Sequence, residues 1–426
     1  MWFERWARSM VVAGALFAVP AAWAANNWPD FRGPTADGHA PADCKPPIKW
    51  SDSENIKWKT PIPGQGWSSP IIWGDQIWIT TALNGGKSLR AICCDLNTGK
   101  LLHDVELFTP ETPGPKHNLN SYASPSATIE EGRVYVSFGT HGIACLDSQT
   151  GKVVWKQADL GLNFATGAGS SPLLYKHLLI LECDAVNEQY VIARDKATGA
   201  EVWRTKRSRD FGVRFPEKRR AFSTGVIVQI DGRDTLLSIG GQRAYAYDPA
   251  TGKELWHVDT DMGYSNVCRP LLAGDRVLIS TGYDASRLMA VSVPKNANVD
   301  APTDLTKSGV AWTTKQGIPY KPSLTLIDGR VYMVADTGMA RCVDPKTGDS
   351  IWNKRLGQTY SASPVYAGGH LYFCSEKGQV HVLKPAAGGE AEVVSEFTVE
   401  EGFMASPAVV GNALILRSTG HLYRVE

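Results

Sequence analysis

Five stretches of this chain repeat one pattern: a small residue, then Asp-x-x-Thr-Gly and, three or four residues on, an apolar anchor. They read CCDLNTGKLLH, CLDSQTGKVVW, ARDKATGAEVW, AYDPATGKELW and CVDPKTGDSIW. Their aspartates are Asp95, Asp147, Asp195, Asp248 and Asp344. Four copies end in tryptophan, at Trp155, Trp203, Trp256 and Trp352, and His103 holds that place in the first. Degenerate copies run from Ser292 to Trp312 and around His381 to Val394. Upstream of each copy, a Ser-Pro pair or its variant leads into an apolar strand, a turn and a second apolar strand. These marks fall at Pro70, Pro125, Pro172, Gly225, Pro270, Pro322, Pro364 and Pro407, spaced 42 to 55 residues apart. A sustained period of this length limits the fold to an array of one supersecondary unit.

A unit of four short β-rich runs cannot bury both faces alone, but it can stack radially on its neighbours as a propeller blade. Eight units predict an all-β, eight-bladed β-propeller of four-stranded antiparallel blades over residues 48–426. The last unit is short of a strand at its outer edge. Asn55 to Ile62 (NIKWKTPI) has the form of the outer strand GKVVWKQAD without its turn. It is expected to pair beside the C-terminal strand and remove an open edge. Asp before Thr-Gly favours a turn in which its carboxylate accepts backbone N–H groups. A tryptophan on the outer strand brings a large apolar face into the gap between blades, with its N–H free to reach a backbone acceptor. Trp155, Trp203, Trp256, Trp312 and Trp352 are therefore assigned to structure, which accounts for much of the count of 14.

The N-terminus reads as a targeting segment. Arg5 and Arg8 precede an apolar run from Met10 to Val19, and Ala22-Trp23-Ala24 offers small residues where a signal peptidase cuts. Residues 1–24 are expected to be a signal peptide and 25–47 a leader, giving an exported, periplasmic or extracellular, monomeric protein. The apolar run is short of the roughly 20 residues a membrane span needs, and no later stretch supplies them. Lys plus Arg is 44 against 43 Asp plus Glu, which argues against a nucleic-acid partner held by bulk charge. The local exception is Arg204 to Arg220. There Arg204, Lys206, Arg207, Arg209, Arg214, Lys218, Arg219 and Arg220 face only Asp210 and Glu217, a loop able to attract an anion or an acidic partner. HExxH, CxxC, GxSxG and EF-hand patterns are missing, and the nine histidines lack ligand spacing, so no metal site is assigned.

The tryptophan-bearing repeat in an eightfold ring resembles the PQQ-like (quinoprotein-type) β-propeller family, from about Ile48 to the C-terminus. Trp28-Pro29-Asp30-Phe31-Arg32-Gly33-Pro34 also resembles the leader of exported members. That resemblance implies one of two branches. Dehydrogenases of alcohols or sugars hold pyrroloquinoline quinone (PQQ) with calcium over a central funnel, under a disulfide of adjacent cysteines. Cofactor-free scaffolds are similar to the lipoprotein propeller of the outer-membrane barrel-assembly machinery. Cys93 and Cys94 are adjacent, but they precede the turn at Asp95, which puts them on a third strand and away from the mouth. Cys93, Cys145 and Cys342 share a slot with Ala193 and Ala246, a buried small-residue role. Disulfide pairing is left open. A binding or assembly scaffold is the first reading and a quinoprotein-type oxidoreductase the second. A glycan-binding or glycan-processing propeller is the third, and no catalytic residue is assigned.

The segments entering the innermost strands gather at one channel mouth, the default ligand site. They carry Trp67, His117, Asn118, Asn120, Tyr122, Asn163, Phe164, Arg219, Arg220, Phe222, Tyr264, Asn266, Tyr320, Tyr360 and Phe403. Aromatics, amides and a few cations suit a protein segment or a small polar or anionic ligand. The competing role for them is plugging the channel and packing blade edges. Candidate carboxylates near the mouth are Asp261, Glu400 and Glu401.

Overall fold

The computed structural model describes residues 27–51, 53–212, 215–261, 263–284, 286–294, 297, 300–386 and 389–426. The expected signal peptide with its cleavage site, and Arg214 of the basic loop, lie outside the described residues. Eight antiparallel sheets stand around one axis. Blade one runs from innermost to outermost strand as Ile71–Trp73, Gln76–Leu83, Ser88–Asp95 and Leu101–Phe108. Six blades repeat that order. In the eighth, Ile56–Pro61 supplies the outermost strand, antiparallel to His421–Val425, with Ile56 opposite Val425 and Pro61 opposite His421. Both the blade number and the closing strand are as the repeat predicts.

Blade three shows how the repeat works. The Asp195 carboxylate accepts the N–H groups of Ala197 and Thr198 at 3.1 and 2.9 Å and the Thr198 hydroxyl at 2.8 Å. The Thr198 hydroxyl and these N–H bonds hold the carboxyl below its ordinary range. Gly199 follows at φ +77°, and a Cβ there would stand 2.7 Å from the indole of Trp155. Trp155 belongs to blade two, so the glycine serves both as turn former and as seat for the preceding blade's indole. The Trp155 N–H donates to the Lys196 carbonyl at 3.0 Å. Trp58 on the closing strand and Trp312 repeat that bond, to Leu96 and Pro345, each at 3.0 Å. His103 occupies the same seat against Gly151 and bonds the Gln149 carbonyl at 3.1 Å.

Blade four departs from the pattern because its neighbour, blade five, carries a degenerate repeat. An insertion in blade five sends Thr303–Asp304 back to pair in parallel with Glu254–Asp259, with Thr303 opposite Trp256. Trp256 is thereby covered to 1% exposure.

The leader lies inside the ring. Trp28 exchanges two backbone hydrogen bonds of 2.8 Å with Ile72 of blade one, and the Pro29 carbonyl accepts the Ile129 N–H of blade two at 3.0 Å. Arg32, fully buried, donates to the Leu324 and Pro364 carbonyls and to the Thr325 hydroxyl, on blades six and seven. Gly38 and Ala40 then bond Tyr366 of blade seven. Residues 28–40 thus ascend the central channel and turn back. Gly38 leaves the room Arg32 needs, since a Cβ there would fall 2.3 Å from the guanidinium. Burial lowers the Arg32 pKa to about 10, which leaves it charged at neutral pH.

Candidate functional site

Above the leader lies a funnel of about 630 Å3. Its narrow part is a crown of hydroxyls at the entry of the innermost strands. The Ser69 N–H donates to Ser126 Oγ (2.8 Å), Ser126 to Ser171 (2.9 Å) and Ser171 to Thr224 Oγ1 (2.8 Å). Across blade five the Arg269 N–H donates to Ser323 Oγ (3.1 Å), Ser323 to Ser363 (2.9 Å), Ser363 to Ser406 (2.9 Å) and Ser406 back to Ser69 (3.0 Å). Seven hydroxyls each accept one N–H from the preceding blade, and all seven line the funnel. Their own O–H protons meet no acceptor among the described residues. Blade five alone has no hydroxyl here. Arg269 takes its place, paired with Asp30 of the leader at 2.8 Å and lying 4.5 Å from the Phe31 ring centroid. Phe31 forms part of the funnel lining.

Of the residues expected at the mouth, Trp67, His117, Asn120, Arg220, Phe222, Tyr264 and Tyr320 line the funnel. The Trp67 indole nitrogen is buried without a partner. Arg220 donates to the Phe164 carbonyl and the Thr166 hydroxyl, both at 3.3 Å, which fixes its guanidinium on the wall. Burial lowers its pKa.

Five expected residues are placed elsewhere. Asn266 is fully buried, its amide bonding the Gly240 carbonyl and the Gly282 N–H. Tyr360 is fully buried with its hydroxyl 3.0 Å from His381 Nδ1, and Phe403, 2% exposed, belongs to the apolar core. Tyr122 faces a separate cavity of about 610 Å3 beside the Pro110–Pro115 segment. Arg219 turns to the backbone carbonyls of Gly212 and Val186. Of the other strand-entry residues, Asn163 and Phe164 line that separate cavity, and Asn118 lines neither.

The basic segment is likewise partitioned. Arg204 pairs with Glu201, Arg209 with Asp259, and Arg207 with Asp184 in a pair 1% exposed on each side. The suggested carboxylates are also engaged, Asp261 with Arg287, Glu401 with His421 and Glu400 with Lys59. The carboxylate that does line the funnel is Asp336, in a turn between second and third strands, 3.5 Å from Lys321, whose ammonium also meets Glu376 at 2.8 Å. Burial raises the Asp336 carboxyl, and one of its oxygens has no hydrogen-bond donor. Met404, Tyr283, Phe31, Leu119, Val267 and Lys321 also line the funnel, and position in the repeat did not single them out.

The funnel does not fit PQQ as the dehydrogenases hold it. Cys93 and Cys94 are buried on the third strand of blade one, their thiols pushed up by burial, Cys94 to about 11. Cys93 packs between blades one and two, and Cys94 between blades eight and one, so the two point to opposite faces. Among the described residues no cluster of three His, Cys, Asp or Glu could hold a metal ion.

Ring, crown and funnel together define an eight-bladed PQQ-like propeller. The profile of the family described as outer membrane protein assembly factor BamB matches residues 48–170 and 187–426, and the chain belongs to that family. The outer membrane protein assembly factor BamB of Burkholderia pseudomallei is 30% identical over 110 residues, 25% of this chain and 28% of that protein. Among solved structures, BamB from Moraxella catarrhalis superposes with a TM-score of 0.56 at 16% identity, over 87% of this chain and 99% of that one. A europium-containing methanol dehydrogenase gives 0.67 at 12% identity, over 93% and 90%. The quinohemoprotein alcohol dehydrogenase of Comamonas testosteroni gives 0.63 at 12%, over 95% and 81%. At such identities these likenesses speak for the fold alone. No helix among the described residues is long and apolar enough to cross a membrane.

Proposed function

We propose that this protein is an exported, monomeric scaffold that holds a polypeptide partner at its funnel, an assembly role in line with the name of its family. One observation carries the reading: the funnel is open at one mouth and closed below by the chain's own leader, with aromatics on its wall and unpaired donors at its base. Such a cavity receives and holds, and its groups bind by stacking and hydrogen bonding. The dehydrogenase reading lacks the disulfide that the family resemblance implies at the mouth, because the adjacent cysteines sit between blades.

The test is site-specific photocrosslinking in the native host. A crosslinker at Tyr320, 41% exposed at the mouth, should give a discrete polypeptide adduct, and one at Leu101 on the outer rim should not. The opposite pattern would move the partner to the rim. Addition of PQQ and calcium to purified protein should give neither the quinone absorbance nor dye reduction.

A further inference from the structure

Resting on the funnel reading above and deepening it, we propose that the base of the funnel is a carboxylate site, and that the group it receives is the C-terminal carboxylate of an extended polypeptide. Three independent features of the molecule converge on this.

The first is an imbalance of donors and acceptors. Each crown hydroxyl already accepts a backbone N–H and keeps one further lone pair, and what it lacks is an acceptor for its O–H proton. The Trp67 indole N–H has no acceptor either. Against these donors the funnel sets one carboxylate, Asp336, one of whose oxygens has no hydrogen bond and lies 3.5 Å from the Lys321 ammonium. A carboxylate is all acceptor and satisfies such a surface. A chain's N-terminal ammonium is all donor and does not, and a sugar needs acceptors as often as donors. Hydrogen bonds to an ionised acceptor are also the stronger kind.

The second is charge. Beneath the crown lie the guanidiniums of Arg269 and Arg32. Arg269 is paired with Asp30, whereas Arg32 is held by three carbonyls and a hydroxyl. A buried guanidinium bonded only by neutral groups, with its carboxylates Asp37 and Asp30 further off, favours an anion in the cavity above it.

The third is topology. Because residues 28–40 occupy the channel, a chain cannot thread the ring. It enters end first and stops, and the donors meet whatever that end carries. Phe222, Tyr264 and Tyr320 on the wall give the side chains behind the terminus an aromatic surface.

The probes are the peptide N-acetyl-Tyr-Ala-Tyr-Ala, its C-terminal amide and sodium acetate, each titrated calorimetrically into full-length processed protein. The free acid should bind at least tenfold more tightly than the amide, and Asp336→Asn should tighten the acid by removing the competing negative charge. Tyr264→Ala should weaken the acid and leave acetate unchanged, its folding checked by thermal melting. Equal affinity for acid and amide, or no binding of either, overturns the carboxylate site. If the Tyr320 crosslink to a polypeptide persists in that case, the scaffold reading stands alone. Acetate binding as tightly as the peptide would assign the site to a small free carboxylate and overturn the polypeptide source. Loss of both the acid-over-amide preference and the Tyr320 crosslink defeats both readings.

Discussion

Arg269 grips Asp30 with two nitrogens, at 3.1 and 2.8 Å from the two carboxylate oxygens, at the one place in the crown where a hydroxyl is missing. The departure from the Ser/Thr pattern and the seating of the leader are one event: blade five gives up its ring hydroxyl for a cation that reaches into the channel. The pair is nearly dry, with side-chain exposures of 2% and 17%. Removing one partner leaves the other charged and unpaired, so Arg269→Ala should cost about 3 kcal/mol or more. The double change Arg269→Ser with Asp30→Asn restores a hydroxyl to the crown and removes the stranded charge, and should lose clearly less than the sum of the single changes. Urea denaturation of the four proteins measures this, and simple additivity would show that the pair does not anchor the leader.

The docking indoles should differ according to their cover. Trp256 is roofed by a fifth strand and should cost about 3–5 kcal/mol as Trp256→Ala, through the cavity it leaves. Trp155 is only half-buried and should cost less. Gly199→Ala meets both a positive φ and the Trp155 ring and should cost about 1 kcal/mol or more, of which replacing Trp155 by alanine relieves the steric share and leaves the strain of the positive φ. Thermal unfolding is the measurement, and a Trp256→Ala protein melting like the parent would contradict the structural role.

Glu182 gives the fold a pH dependence of definite sign. Its carboxyl is buried between blades three and four, and burial raises its pKa to about 7, with Arg207 and hydrogen bonding to Ser238 and the Gly225 N–H opposing and Asp184 adding to the rise. The folded state therefore holds a proton that the unfolded chain, with an ordinary value of 4.5, releases earlier. Between these values the native state binds more protons, so stability falls as pH rises from about 4.5 to 7 and levels off above that. Glu182→Gln removes this loss. It should raise Tm at pH 8, by the equivalent of at most about 3 kcal/mol at 1.36 kcal/mol per pKa unit, and change it little at pH 4.5. Equal effects at both pH values would mean that the carboxyl does not titrate there.

The ring was legible because its determinants are local and repeated: Asp195 to Gly199 make a turn from five consecutive residues, and eight spaced entries count the blades. The closing strand was legible because Trp58 keeps the docking indole. The leader's place was hidden, since Arg32 meets residues about three hundred positions away with no period to betray them. The Ser-Pro signature marked strand starts, but that its hydroxyls join into a crown depends on the register between blades. Asn266, Tyr360 and Phe403 were placed in the right segments and on the wrong faces, because neighbouring side chains of an extended segment point to opposite sides. Asp336 escaped notice because it comes from a second-to-third-strand turn, which reaches the same face as the strand entries.

That division between lining and packing gives the last prediction. Tyr283 and Tyr320 expose 64% and 41% of their surface at the mouth, whereas Tyr360, from an equivalent strand entry, exposes none. Tyr320→Ala removes largely exposed surface and Tyr283→Ala removes an exposed ring whose contact is the edge of Tyr264, so the first should stay within about 0.5 kcal/mol of the parent in stability and the second within about 1 kcal/mol. Tyr360→Ala empties a buried site and strands His381, whose ring has lost its hydroxyl partner, and should cost about 3–5 kcal/mol. Partner binding should follow the reverse order: a ring at the mouth can stack on a bound chain, with about 1 kcal/mol at stake beyond the area it buries. Under conditions where all three proteins are folded, adduct yield from a crosslinker at Leu119 on the funnel wall should fall several-fold in the Tyr283→Ala and Tyr320→Ala proteins. It should hold at the parent level in Tyr360→Ala. Loss of adduct in Tyr360→Ala alone would place the partner's contact on the blade seam and remove these aromatics from the site.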